Sequence, residues 1–169
     1  HSGLFSAELI GGSTSGRTAA IAHSEPLPVL SLLGFEARVG LIGAIEYFVL
    51  EMDLYDGANR TRFLVQWTDA TNAVEYWSSA GGLEFLGTLD LSTLGSLFHV
   101  VKLVADGPNR RYVRVLFNDR GFTLPGVGGQ VAADAASARL DVTLVVGSRA
   151  ALNDVLFVDN VIITQNEPN

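Results

Sequence analysis

The sequence predicts an all-β fold: two antiparallel sheets packed face to face as a β-sandwich. Three observations predict it. From Pro28 onward, short runs rich in Val, Leu, Phe and Tyr alternate apolar with polar residues, the period of a half-buried strand. Gly, Asn and Asp cluster between these runs, where tight turns need backbone conformations that those residues tolerate. Only "QVAADAASA" (130–138) has helical composition, and it reads equally as a loop.

Taken in order, residues 1–25 are rich in Gly, Ser, Thr and Ala and have no sustained period. They are expected to be flexible or to hold one short edge strand around Leu4–Ile10. "FEARVGLI" (35–42) alternates Phe35, Ala37, Val39 and Leu41 against Glu36, Arg38 and Gly40. "IEYFVLEMDLY" (45–55) puts Phe48, Leu50, Met52 and Leu54 on one face and Tyr47, Val49, Glu51, Asp53 and Tyr55 on the other. "DGAN" (56–59) is turn chemistry. "RTRFLVQWT" (60–68) returns with Phe63, Val65 and Trp67 inward and Arg62, Leu64 and Gln66 outward. Further strands read at 73–79, 83–91, 97–106, 110–119, 139–147 and 154–164. About ten strands, each with one apolar and one wetter face, are what two stacked antiparallel sheets require. The chain has 169 residues, with no internal repeat and no linker, so 1–169 is expected to be a single domain.

Composition excludes several function classes. The net charge is −7 and Lys102 is the only lysine, so the clustered cations that nucleic acid needs are missing. The longest nearly apolar run, Val39 to Leu50, is broken by Glu46 and is too short to insert into a membrane. There is no cysteine for disulfide, thiol or metal-thiolate chemistry. Charged residues make up 17 %, below the usual ~25 %, and mean hydropathy is +0.30. Apolar surface hidden between copies, in a homo-oligomer, would account for both. "GGSTSGRT" (11–18) nearly matches a phosphate-cradling loop, with Arg17 in place of lysine. That loop works only between a parallel strand and a helix, and no βαβ unit is readable here. His1, His23 and His99 lack metal-ligand spacing, and His99 alternates with Val101 and Leu103 as a packed residue does.

Strand parity selects a candidate binding face. With Trp67 inward, the outward set is Tyr47, Glu51, Asp53, Tyr55, Arg62, Gln66, Glu75, Trp77, Lys102, Tyr112 and Arg114. Flat aromatic surfaces beside oriented hydrogen-bonding groups are what a sugar needs. Cross-strand ion pairs on an ordinary wet face produce the same composition.

Two segments carry a family resemblance. "LFHVVKLVADGPNRRYVRVLFNDRGFTL" (97–124) resembles a hairpin of concanavalin A-like sandwiches, the laminin G and lectin/glucanase group. There an aromatic-His start leads to a V-K-L-V strand, a polar turn and a Y-x-R-V-x-x-N strand. "VLFVDNVIIT" (155–164) resembles the closing V-D-N-V strand of such domains. The resemblance implies a concanavalin A-like or jelly-roll sandwich. The group includes lectins, carbohydrate-binding modules, glycosidases and adhesion domains, so fold alone assigns no function.

Three expectations follow from that resemblance. Glucanases of the group carry E-x-D-x-E or a bulged E-x-D-x-x-E, with two carboxyls ~5–5.5 Å apart in retaining enzymes. Here Glu51 and Asp53 match, Tyr55 stands where the second glutamate belongs, and Asp56 precedes Gly57 in the turn. A solvated strand running into a turn is the favoured reading, and a glycoside hydrolase using Glu51 and Asp53 the lesser one. Asp159 of the closing strand matches an aspartate that often ligates structural calcium, with Glu8 or Glu36 as a second carboxylate. The alternative is that Asp159 and Asn160 satisfy local backbone groups. No cofactor is expected to be required. The function expected first is a non-catalytic extracellular module that binds a glycan or another cell-surface partner. A structural, self-associating domain of a larger assembly comes second.

Overall fold

The computed structural model describes residues 7–12, 16–26, 32–42, 45–91, 98–149 and 155–168. They form an all-β, two-sheet antiparallel sandwich. The strands are β1 (Ala7–Ile10), β2 (Thr18–Pro26), β3 (Leu32–Ile42), β4 (Tyr47–Tyr55), β5 (Asn59–Thr68), β6 (Ala73–Trp77) and β7 (Leu83–Thr88). They continue with β8 (His99–Asp106), β9 (Arg111–Phe117), β10 (Arg120–Thr123), β11 (Gln130–Ala133), β12 (Arg139–Gly147) and β13 (Val155–Gln165). One 3-10 turn, Asp69–Thr71, joins β5 to β6. No helix among the described residues is long and apolar enough to cross a membrane.

One sheet has the order β1-β13-β3-β8-β9-β10. The other runs β2-β12-β4-β5-β6-β7, with β11 beside β5 as its seventh strand. Their inner faces meet in one apolar layer. Phe48, Leu50, Met52, Phe63, Val65, Trp67, Val142 and Leu144 face Phe35, Val101, Leu103, Val115, Phe117 and Val158, all buried. The Trp67 ring lies 5.5 Å from that of Phe48, and its N–H donates to the Leu89 carbonyl at 2.8 Å. A buried indole is thus packed and hydrogen-bonded at once, which removes the cost of hiding its polar end.

Three strands differ from the sequence expectation, each for a physical reason. β2 lies in a segment expected to be flexible or to hold one short strand. It is an edge strand, mostly exposed, with Ile21 its only large apolar residue, so no period is imposed on its sequence. Thr18 therefore enters a strand, not the helix that a phosphate loop needs. β10 is hidden because its hairpin turn is so short; Asn118 takes the left-handed conformation, φ 55°, that this turn demands. β11 has helical composition but pairs with Asn59–Arg62 of β5, so tertiary pairing overrides a weak local preference. The edge strand expected around Leu4–Ile10 is β1 from Ala7 onward; its earlier part lies outside the described residues.

One edge of the sandwich is open. β1 covers β13 only over Val155–Val158. Beyond that, a cavity of about 490 Å³ lies between β2 and β13, lined by Ile21, His23, Phe35, Leu144, Val161 and Ile163.

Candidate functional site

The outer face of the seven-stranded sheet can be built from its register. One row across the strands reads Ala22, Thr143, Glu51 and Leu64, and Trp77 and Leu83 continue its line just past the end of the β5–β6 ladder. The next reads Ser24, Asp141, Asp53, Arg62 and Gln130. The row on the other side holds Val145, Val49, Gln66, Glu75 and Phe85. Eight of the expected outward residues, Tyr47, Glu51, Asp53, Tyr55, Arg62, Gln66, Glu75 and Trp77, therefore share this one surface.

Acid groups lie at its centre. Arg62 Nε is 2.8 Å from Glu51 Oε1 and 3.3 Å from Asp53 Oδ1, and Arg60 is 3.9 Å from Asp53. Burial first, and the charge of Asp53 second, push the Glu51 carboxyl up to about 7; Arg62 pulls the other way. Strand geometry explains the crowding. Residues two apart on β4 stand side by side, and β12 and β5 flank them closely enough that Asp53 and Tyr55 are buried on an outward face. Arg139 lies 4.0 Å above the Tyr55 ring and grips both oxygens of Asp141. At the far end, the Tyr47 ring fills the space over Gly147, where any Cβ would come within 2.3 Å of it.

A carboxyl that gains its proton on folding gives pH-dependent stability. Its folded value lies above the ordinary 4.5, so the folded state binds more protons between about 4.5 and about 7. The contribution of Glu51 is therefore greatest at low pH and is lost as pH rises through that window. Gln cannot ionise, so it lacks that dependence. Glu51→Gln is expected to gain about 1–2 kcal/mol over the parent between pH 5 and pH 8. Melting temperatures of both proteins across that range would show it; a difference constant with pH would refute the assignment.

The other carboxylates of the glucanase pattern are accounted for. Asp56 is exposed and caps its turn, with Oδ1 accepting from Ala58 N–H at 3.0 Å and Asn59 N–H at 2.7 Å. Those bonds hold its carboxyl below the usual aspartate range. Tyr55, at the position of the missing glutamate, lies under Arg139.

Trp77 stands at the border between acid cluster and apolar rim. Its indole N–H donates to Gln130 Oε1 at 3.0 Å, across the gap between β6 and β11. Beside it Leu83 is 38 % and Phe85 65 % exposed, so the rim offers bare apolar surface. Gln130, Arg139, Asp141, Leu83 and Phe85 are residues that parity did not select. For Gln130 no signal existed, because its segment reads as helix or loop; Asp141 and Arg139 were legible from the alternation of β12.

Three expected outward residues lie elsewhere. Lys102 and Arg114 project from the other sheet, on the opposite side of the sandwich. There Glu167 binds both, 2.7 Å from Lys102 and 3.6 Å from Arg114, while Glu36 lies 3.4 Å from Lys102. Alternation fixes a face within a strand but cannot say which sheet the strand joins. Tyr112 is not outward at all. A register shift between Val104 and Ala105 in the β8–β9 ladder turns it inward, where it is 1 % exposed. Its hydroxyl accepts from Leu64 N–H at 2.8 Å and faces the Trp77 carbonyl at 2.8 Å.

Asp159 opens a second irregularity. The β13–β3 register shifts between Asp159 and Ile162, Asn160 adopts φ 49°, and Asp159 Oδ1 accepts the Asn160 N–H at 2.8 Å. The V-D-N-V stretch is thus a bulge, with its aspartate bonded to local backbone. Glu8 pairs with Phe157, and Glu36 is taken by Lys102. Among the described residues no group of three or more His, Asp or Glu side chains is placed to hold a metal ion. His99 is buried against Asn118 and its imidazole is pushed toward neutrality by burial, whereas His23 is exposed beside Glu25.

No family model matches the chain, and no curated protein matches it. Solved structures do. Lectin I-B4 from Griffonia simplicifolia, in its metal-free form, aligns over 97 % of this chain and 89 % of its own at TM-score 0.59 and 8 % identity. The legume lectin-like domain from Entamoeba histolytica aligns over 94 % and 84 %, at TM-score 0.56 and 6 % identity. The carbohydrate-binding module CBM66 from Bacillus subtilis aligns over 92 % and 86 %, at TM-score 0.51 and 12 % identity. At these identities the likeness is one of fold: the chain is a β-sandwich resembling concanavalin A-like lectins and carbohydrate-binding modules.

Proposed function

We propose that this chain is a non-catalytic, extracellular carbohydrate-binding module that holds its ligand on the outer face of the seven-stranded sheet. The observation that carries the reading is the placement of Trp77. Its indole is half-buried, pinned by Gln130, and stands one strand from the Glu51–Asp53–Arg62 cluster. A fixed apolar plane next to directed acceptors is the minimum that a sugar ring requires. The ion pairs also argue for binding over hydrolysis. Glu51 and Asp53 are held by the same arginine, and the two positions where the pattern would put a second catalytic carboxylate are Tyr55, which lies under Arg139, and Asp56, which caps the turn. The similar folds of lectins and carbohydrate-binding modules support the reading and its extracellular setting.

A second reading, self-association, is favoured by a different surface. Val161, 44 % exposed, borders the open cavity between β2 and β13 with Ile21 and Ile163, and Ile162 beside it is 43 % exposed. One experiment separates the two. The parent protein, Trp77→Ala and Val161→Lys are screened on an array of oligosaccharides and sedimented over a range of concentrations. The glycan reading expects saturable binding that falls at least tenfold in Trp77→Ala and is unchanged in Val161→Lys. A protein that binds no glycan but dimerises, and loses the dimer in Val161→Lys, would overturn it in favour of self-association.

A further inference from the structure

We infer that this face takes uncharged glycans and rejects those bearing carboxylate or sulfate groups; the inference rests on the glycan-binding reading. It follows from the electrostatic layout. Recognition of an anionic sugar needs a cation whose N–H groups are open to the ligand, most effectively an arginine in bidentate contact. Among the described residues the face has three arginines, and each lies within ion-pair distance of an acid of the protein. Arg62 is shared by Glu51 and Asp53, Arg60 approaches Asp53 from the other side, and Arg139 is closed on both oxygens of Asp141 and stacked on Tyr55. The lysine is on the opposite sheet, held by Glu36 and Glu167.

What remains for a ligand is acidic or apolar. Glu75 stands beside Gln66 in the row next to Trp77, and its cross-strand neighbour on β7 is the exposed Phe85. A uronate or sulfate placed over Trp77 would meet Glu75 in the neighbouring row and find the arginines beyond it already facing acids of the protein, under a net protein charge of −7. Sugar hydroxyls fit the same groups well. They are donors, carboxylate oxygens are acceptors, and the Gln130 amide can serve as either. Repulsion against the wrong ligand, together with acceptors for the right one, makes a selectivity device from charges that look like ordinary surface ion pairs.

The test uses the oligosaccharides that the parent protein binds, each paired with its counterpart oxidised at C6 to the uronate, so that each pair differs only in the added carboxylates. Titration calorimetry at low salt is expected to show at least tenfold weaker binding of the oxidised form. The gap should shrink at high salt, where exposed charges are screened. Glu75→Lys, which exchanges an acid of this face for a cation, is expected to narrow the low-salt ratio between neutral and oxidised forms at least threefold, read as the ratio within each pair, so that a lost acceptor for the neutral sugar does not mask it. Equal or tighter binding of the oxidised sugars by the parent overturns the inference and leaves the glycan reading standing. Binding that Trp77→Ala does not weaken, or no binding to any glycan, overturns both.

Discussion

Trp67→Ala should destabilise the fold by about 3–5 kcal/mol, and Trp77→Ala by no more than about 1. The two residues lie ten apart on adjacent strands with similar neighbours in sequence, yet their situations are opposite. Trp67 is 1 % exposed at the centre of the intersheet layer, in ring contact with Phe48 and hydrogen-bonded to Leu89. Removing it leaves a cavity the size of an indole and an unpaired carbonyl, and a close-packed core relaxes only partly into such a space. Trp77 is on the outer face with Gln130 as its polar partner, so its loss uncovers little and breaks one half-exposed bond. Denaturant midpoints of the two variants measure the contrast. Iodide quenching checks it independently: Trp77 fluorescence should be reached and Trp67 fluorescence should not. Similar losses from both substitutions would mean that the β6 face assignment is inverted.

What the sequence disclosed about this molecule depends on how strongly burial constrains each segment. β4, β5 and β12 sit in the middle of a sheet and bury one face completely, so Phe48, Leu50, Met52, Phe63, Val65, Val142 and Leu144 repeat with period two and were readable. β2 has one neighbour and an exposed surface, so nothing forces alternation on "TAAIAHSEP", and it was not readable. Bulges are worse. Alternation carried through the β8–β9 irregularity puts Tyr112 with Arg114, whereas a single register shift sends the two side chains to opposite faces. The acid cluster was legible as parity on β4 and β5, because Glu51, Asp53 and Arg62 share a face whatever the rest of the chain does. Its partner Gln130 was not, because the strand carrying it exists only through pairing with β5. The opposite placement of Lys102 was hidden for a related reason: strand order within sheets is set by long-range pairing, and no local pattern encodes it.

Tyr112, which alternation alone would turn outward, is expected to be among the most consequential residues in the molecule. β5 changes neighbours along its length, pairing with β11 over Asn59–Arg62 and with β6 over Val65–Thr68. Leu64 falls at the switch, where neither neighbour's ladder covers its backbone groups. Tyr112 reaches across from the other sheet and its hydroxyl substitutes for the missing strand. It accepts the Leu64 N–H at 2.8 Å, and its single proton faces the Trp77 carbonyl at 2.8 Å and the Leu64 carbonyl at 3.2 Å. Burial holds the phenol well above its ordinary value, so it is a neutral donor at any ordinary pH. Tyr112→Phe keeps the edge-on ring contacts with Phe63 and Tyr76, at 5.2 and 5.6 Å, and deletes only the hydroxyl. It should therefore report the hydrogen bonds alone. Leaving a buried amide and carbonyl unpaired costs about 1–3 kcal/mol for each group, and the loss expected here is about 2–4 kcal/mol. Hydrogen exchange should show where the loss falls, with the Leu64 amide losing protection well before the centre of β4. The same hydroxyl also holds the Trp77 carbonyl, so the variant should weaken glycan binding even at temperatures where it stays folded. A variant within about 0.5 kcal/mol of the parent, with the Leu64 amide still protected, would show that the two sheets are not joined through this hydroxyl.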